Sequence, residues 1–166
     1  MTMATSRLPA AYQDAELRAA DWLARHSISL LRISLGLIFL GFGVLKFIPG
    51  LSPAEPLAAR TLDILTFGLV PTQVGLIGVA ALESVIGVLL LSGRWMRLAL
   101  GLLAIELIGI LSPIVLLPTE MFRGPLAPTL EGQYVLKDLI VGAAGLVVAA
   151  RTLGARLVVD ARAADR

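Results

Sequence analysis

The chain lacks several residues on which common protein chemistry depends: it has no cysteine and a single histidine, His26. Without cysteine, this chain cannot form a disulfide framework, a thiolate metal site or a dithiol redox relay. One histidine cannot build a metal site, so we predict no metal and place His26 at an interfacial surface. Nucleophile-elbow, zinc-protease and P-loop motifs are missing, and the arginines do not cluster with aromatics. These absences argue against a hydrolase, a nucleotide-binding enzyme and a nucleic-acid-binding protein.

Charge is also scarce, because apolar residues dominate. Of the 166 residues, 57% are hydrophobic and 16% are charged, and the mean hydropathy is +0.88. Soluble domains are about half apolar and about a quarter charged. A core this small cannot hide the apolar surplus, so lipid must cover it. The polar stretch up to about Ser27 is too long and too acidic for a signal peptide, which predicts that the first apolar stretch is a retained span.

Four segments are long and apolar enough to cross the membrane, which requires roughly 20 residues for about 30 Å of hydrocarbon. The predicted fold class is therefore all-α, a four-helix transmembrane bundle with an N-terminal interfacial amphipathic helix. Pro49-Gly50, the Ser92-Gly93-Arg94 turn and a proline-rich third connection separate the spans. The predicted spans cover residues 28–48, 69–91, 95–117 and 134–153, within an N-terminal segment 1–27, a transmembrane domain 28–153 and a tail 154–166.

The N-terminal segment is predicted to form its amphipathic helix over residues 8–26. Asp14–Arg18 and Asp21–Arg25 are acid–base pairs spaced i,i+4 in the favourable order. Apolar residues from Leu8 to Leu23 lie roughly on one face, as in helices that rest on a membrane surface. The alternative interpretation is a frayed tail.

The distribution of Lys and Arg predicts the orientation of the spans. With four spans both termini lie on one side, and this side holds ten of the 14 basic residues. We therefore expect a bacterial inner-membrane protein with both termini in the cytoplasm. Residues 60–67 are a candidate for an interfacial or re-entrant helix on the outer side. The ten are Arg7, Arg18, Arg25, Arg32, Arg94, Arg97, Arg151, Arg156, Arg162 and Arg166, and the other four are Lys46, Arg60, Arg123 and Lys137.

Charged residues inside predicted spans are the strongest functional signal, because burying a charge in hydrocarbon costs several kcal/mol unless it is paired or hydrated. Glu83 lies about 12 Å from the inner end of the second span, and Glu106 lies near the middle of the third. Lys46 is near the end of the first span, and Lys137 and Asp138 open the fourth. They are candidates for a ligand-binding or functional polar cluster, and no residue is assigned a catalytic role.

Each candidate also has a structural interpretation. Glu83 and Glu106 are either functional groups (a proton site, a ligand partner or a counter-charge) or protonated structural carboxyls. Lys46 is either part of the site or an interfacial side chain that snorkels, and Lys137-Asp138 is alternatively a solvated pair. Because helical side chains lean toward the helix N-terminus, Lys46 and Glu83 converge. We predict that Glu83 faces the bundle interior and that Lys46, Lys137 and Asp138 close the cluster, with direct contact left open.

Three sequence motifs resemble those of one family. The first is residues 31–47 (LRISLGLIFLGFGVLKF), the second residues 83–91 (ESVIGVLLL) and the third residues 134–139 (YVLKDL). In this order they resemble the first-span, second-span and fourth-span motifs of the DoxX-like superfamily, over about residues 31–153. The Lys-Phe-x-Pro, Ser-Pro-Ala-Glu and Val-Leu-Lys-Asp stretches are most similar to its YkgB-like branch. Lys46, Glu83, Lys137 and Asp138 match motif positions, whereas Glu106 does not.

The resemblance implies a four-helix bacterial inner-membrane protein. Members are linked to oxidative or reactive-chlorine stress, to membrane-associated oxidoreductase complexes and, in one archaeal branch, to thiosulfate:quinone oxidoreduction. Our first hypothesis is a membrane subunit or anchor in redox or stress defence, not an enzyme on its own, which holds a quinone or another small lipophile. The alternatives are a quinone-linked oxidoreductase subunit, a small proton-coupled transporter using Glu83 and an assembly chaperone. The expected partners are the lipid membrane and either a redox protein or a second copy of the chain.

Overall fold

A computed structural model describes residues 10–125 and 127–158. Within this part of the chain, four helices are long and apolar enough to cross a membrane, which confirms the predicted all-α four-span bundle. The elements are α1 (Ala10–Lys46), α2 (Glu55–Leu65), α3 (Thr72–Ser92), α4 (Met96–Leu111), α5 (Pro113–Leu116), α6 (Pro118–Met121), β1 (Phe122–Gly124), β2 (Ala127–Pro128) and α7 (Leu130–Thr152).

Helix α1 combines the predicted amphipathic segment and the first span. It runs from Ala10 to Lys46 without interruption, so the predicted segment is helical but is not a separate element. The predicted boundary between residues 27 and 28 falls inside this helix. The physical reason is local, because residues 10–35 contain neither glycine nor proline to stop a helix. Leu8 and the last eight residues of the predicted tail lie outside the described residues.

The fourth span begins earlier than predicted, whereas the third span agrees with its prediction. Helix α7 begins at Leu130, four residues earlier than predicted, because Thr129 caps it. The hydroxyl oxygen of Thr129 accepts a hydrogen bond from the backbone N–H of Gly132 at 3.0 Å. The third span covers Met96–Leu116, in agreement with the predicted residues 95–117, and the missing amide of Pro113 divides it into α4 and α5.

The connection before α3 and the connection before α7 contain more regular secondary structure than predicted. The candidate interfacial helix is present as α2, but it begins at Glu55, five residues earlier than predicted. Pro56 fits there because the first turn of a helix needs no amide donor. The third connection folds into α6 and a short antiparallel hairpin, in which Phe122 pairs with Pro128.

Helices α1 and α3 pack antiparallel at very short range. A Cβ atom on Gly43 would lie 2.7 Å from the backbone nitrogen of Ser84, and one on Gly87 would collide with the backbone of Leu40. Only glycine permits this approach, and such close packing is what holds helices together in lipid. As a result, Lys46 in the last turn of α1 lies opposite the middle of α3.

The interior of the bundle has an apolar half and a second half, which we call the polar half, where buried charged side chains lie among apolar ones such as Ala80 and Val135. The apolar half lies toward the end that carries Arg32, the Gly93 turn and Arg151, which we call the arginine end. The opposite end, with α2, α6 and the hairpin, is the loop end. The buried side chains of the apolar half are Leu35, Phe39, Ile86, Leu90, Ala99, Leu103 and Val148.

Candidate functional site: a buried polar cluster

An ion pair between Lys46 and Glu83 forms the centre of the polar half. The Lys46 ammonium donates a hydrogen bond to Oε1 of Glu83, and the two side chains are only 10% and 5% exposed. Glu83 lies 11 residues into α3, about 16 Å along the helix axis. The contact that the sequence left open is therefore made, because the α1–α3 packing brings the end of one helix against the middle of the other.

The second carboxylate oxygen of Glu83 has a different environment. Oε2 is buried and makes no hydrogen bond with the residues that the structure describes. A buried carboxylate oxygen without a partner is costly, since it loses its water without gaining a donor. This atom is therefore available to a hydrogen-bond donor that comes from outside the described chain.

Glu106 on α4 is a second buried carboxyl group near this pair. It is 7% exposed, and it is close enough to Glu83 and Lys46 for their charges to act on it. The side chain of Glu106 points into the bundle because Ala99, Leu103 and Glu106 are all buried along one face of α4. The sequence resemblance gave Glu106 no motif position, and the signal that singled it out was a carboxyl group inside an apolar span.

The structure separates the neighbours Lys137 and Asp138. Asp138 is partly buried, and the charges of Lys46 and Glu83 act on it. Lys137 is exposed, and its ammonium nitrogen lies 5.2 Å from the centroid of the Tyr134 ring, a cation–π contact. Consecutive residues of a helix point about 100° apart, so one faces the cluster and the other does not. We define the polar cluster as Lys46, Glu83, Glu106 and Asp138.

The charges of the polar cluster do not balance. Three carboxyl groups share one ammonium group, so full ionisation would leave a net charge of −2 in a membrane-embedded site. Such an excess is costly in surroundings of low dielectric constant. The cluster is therefore suited to hold protons or to receive hydrogen-bond donors, and within the described residues it forms no group with the geometry of a metal site.

Comparison with known protein families gives one match that covers more than half of the chain. The family model named DoxX matches residues 27–116. The chain belongs to the DoxX family. The match runs from the start of the first span to the end of α5, so it includes Lys46, Glu83 and Glu106. No curated protein and no solved structure is matched. The finer resemblance to the YkgB-like branch stays a prediction.

In this DoxX protein, the polar cluster lies between the apolar half of the interior and the loop end. Helix α1 stops at Lys46, and α2 packs along the first half of α3, where Leu62 contacts Gly75. Arg60 on α2 forms a 2.9 Å ion pair with Glu120 on α6. Next to this ion pair, a cavity of about 390 Å³ opens between α2, the start of α3 and Leu117. The polar cluster is thus covered by short elements rather than by a continuous span.

Proposed function

We propose that this DoxX protein is a membrane subunit or anchor in redox or oxidative-stress defence, and that it binds a quinone or a similar small lipophile at the polar cluster. The observation that carries the proposal is the buried Oε2 atom of Glu83, which makes no hydrogen bond with the described residues. Ligand sites are mostly apolar with a few convergent polar groups, which is the composition of this bundle interior.

The chemistry of the polar cluster suits a quinone–quinol pair. The Lys46 ammonium can donate a hydrogen bond to a quinone carbonyl oxygen, and Oε2 of Glu83 can accept one from a quinol hydroxyl. Glu106 and Asp138 supply further carboxyls that exchange protons with such a ligand. The protein would hold and orient the ligand, while a partner redox protein carries the electrons. For this reason we expect no quinol oxidation by the purified chain alone.

Quinone binding can be tested with the full chain purified into lipid nanodiscs. Extracted lipids are analysed by mass spectrometry, and the binding of decylubiquinone and of a menaquinone analogue is titrated. We expect Glu83→Gln to weaken binding about tenfold, because a charge-assisted hydrogen bond is replaced by a weaker one. Glu131→Gln is the matched control, since Glu131 is an exposed carboxyl in the first turn of α7. Equal affinity of wild type and Glu83→Gln would contradict the proposal.

A second function, proton-coupled transport, is favoured by the excess of carboxyl groups over Lys46. In this alternative the carboxyls of the polar cluster carry protons across the bundle with a solute. Proteoliposomes with an enclosed pH indicator would acidify under an imposed potential, and Glu83→Gln would abolish the signal. Quinone binding without proton flux supports the first function, and proton flux without quinone binding supports the second.

We also propose the orientation with both termini in the cytoplasm of a bacterial inner membrane, supported by the excess of arginine on that side. Reporter fusions after residue 166 and at Gly93 should then read cytoplasmic, and a fusion at Gly124 should read external. A cytoplasmic signal at Gly124 would contradict this orientation.

A further inference from the structure

A second polar feature lies at the arginine end, remote from the polar cluster. A groove of about 240 Å³ opens between α1, the turn after α3 and the end of α7. Among the residues that the structure describes, its charged lining residues are Arg32 and Arg151, and none of the lining residues is acidic. The other lining residues are Ile28, Ser29, Gly93, Met96, Val148 and Thr152.

Arg32 is held in place on one wall of the groove. Its guanidinium donates hydrogen bonds to the backbone carbonyl of Leu90 and, at 3.1 Å, to that of Leu91. These carbonyls end α3, where the helix dipole favours a positive charge. Only one of its terminal nitrogens makes these bonds. A guanidinium has five N–H donors, so Arg32 keeps further donors for a ligand.

Arg151 on the other wall is less engaged. It is exposed, and its contact within the described residues is a long 3.4 Å hydrogen bond to the carbonyl oxygen of Ala155. Among the described residues neither Arg32 nor Arg151 forms an ion pair with a carboxylate. Within the described part of the chain, two guanidinium groups therefore face one groove without an acidic side chain to compensate their charge.

We propose that this groove binds the phosphate of an anionic phospholipid headgroup. Guanidinium groups recognise phosphate through paired hydrogen bonds, and basic pockets between transmembrane helices take anionic headgroups. The depth also fits, because the groove lies where α3 and α7 end, which is the level of the headgroups. The hydroxyl groups of Ser29 and Thr152 add donors for the phosphate oxygens.

A lipid is favoured over a soluble phosphate compound by the apolar surroundings of the groove. Ile28, Met96 and Val148 give it apolar walls. Val147, one turn of α7 nearer the middle of the bundle than Arg151, is 45% exposed. Acyl chains can therefore lie against the bundle while the phosphate contacts the two arginines. Inorganic phosphate would make the contacts with the two arginines but would lack the apolar contacts of the acyl chains.

Native mass spectrometry of the full chain in detergent tests the lipid site. Phosphatidylglycerol and phosphatidylcholine with identical acyl chains are titrated separately, and inorganic phosphate is then added as a competitor. We expect tighter binding of phosphatidylglycerol. Arg151→Gln should weaken it about fivefold, which is the effect of one basic group near a lipid headgroup. Millimolar inorganic phosphate should not displace the lipid.

The matched control is Arg97→Gln, which removes an exposed arginine of the same end that does not line the groove. We expect it to change the affinity less than twofold. Arg32→Lys keeps the charge but loses the planar fork, and it should weaken binding even where the melting temperature is unchanged. Equal binding of the two lipids, an equal loss in Arg97→Gln, or displacement by inorganic phosphate would each overturn the proposal.

Discussion

The apolar half and the polar half of the bundle interior are built from the same four helices, but they differ in the side chains that those helices bury. In the apolar half, Ile86 and Leu90 of α3 are fully buried, and Leu103 of α4 is 2% exposed. One turn further toward the loop end, the inward positions of α3 and α4 are Glu83 and Glu106. On each helix, the buried carboxyl therefore lies only three positions from a buried aliphatic side chain.

This difference is consistent with the binding function that we propose for the polar cluster. A four-helix bundle in lipid is held by close packing, and the apolar half together with the glycine contacts of α1 and α3 provides it. Buried ion pairs contribute little net stability, because desolvation offsets the attraction between the charges. A stable bundle therefore has no need of the polar cluster, which is the pattern expected where stability has been exchanged for binding.

The largest effect should come from removing one partner of the buried pair. We expect Glu83→Leu to lower the free energy of unfolding by about 3–5 kcal/mol, because the Lys46 ammonium stays buried without a partner. Denaturation in mixed micelles measures this change. The double variant Glu83→Leu/Lys46→Met should recover most of the stability, since both charges are then gone. A fully stable Glu83→Leu variant would show that the polar half is hydrated enough to keep a lone ammonium.

A large-to-small substitution in the apolar half should have the next largest effect. We expect Leu103→Ala to lower the free energy of unfolding by about 2–4 kcal/mol through the cavity it leaves. Leu98→Ala on the same helix is the control, because Leu98 is 48% exposed and faces lipid. The same micelle denaturation measures both. If the two variants lost equal stability, tight packing in the apolar half would not be what holds α4.

Variants of Lys137 and Asp138 test which face of α7 belongs to the polar cluster. If quinone binds at the polar cluster, Asp138→Asn should change its affinity about threefold to tenfold, the effect of one hydrogen-bonding group. Lys137→Gln should change the affinity less than twofold, because Lys137 faces Tyr134 instead of the cluster. Titration in nanodiscs measures both variants. The reverse order of effects would move the boundary of the site to the Lys137 face of α7.

The smallest effect is expected at the surface of the loop end. The side chains of Arg60 and Glu120 are 55% and 29% exposed, so water screens their ion pair. A double-mutant cycle with Arg60→Ala and Glu120→Ala should give a coupling of about 0.2–1 kcal/mol that decreases with salt. A coupling as large as that of Lys46 with Glu83 would mean that burial does not separate the two ion pairs.

The sequence by itself was sufficient for the four spans, the Gly93 turn and the inward position of Glu83. These features depend on apolar length, on helix-stopping residues and on the cost of charge in hydrocarbon, and each of them is local. The predicted start of the fourth span was wrong because a single residue decides it. Thr129 caps α7, which begins four residues before the predicted start at Tyr134.

Only the tertiary structure decided which charged residues meet. The sequence does not show that Asp138 faces the polar cluster while Lys137 faces Tyr134. The two residues are adjacent, and the rotation of α7 in the bundle decides which of them points inward. Nor does spacing along the chain show that Lys46 reaches Glu83. That contact depends on the depth at which α1 crosses α3, and the depth is set by the glycine packing between the two helices. The register and rotation of a helix are defined relative to the helices against which it packs, so the sequence of one helix alone does not determine them.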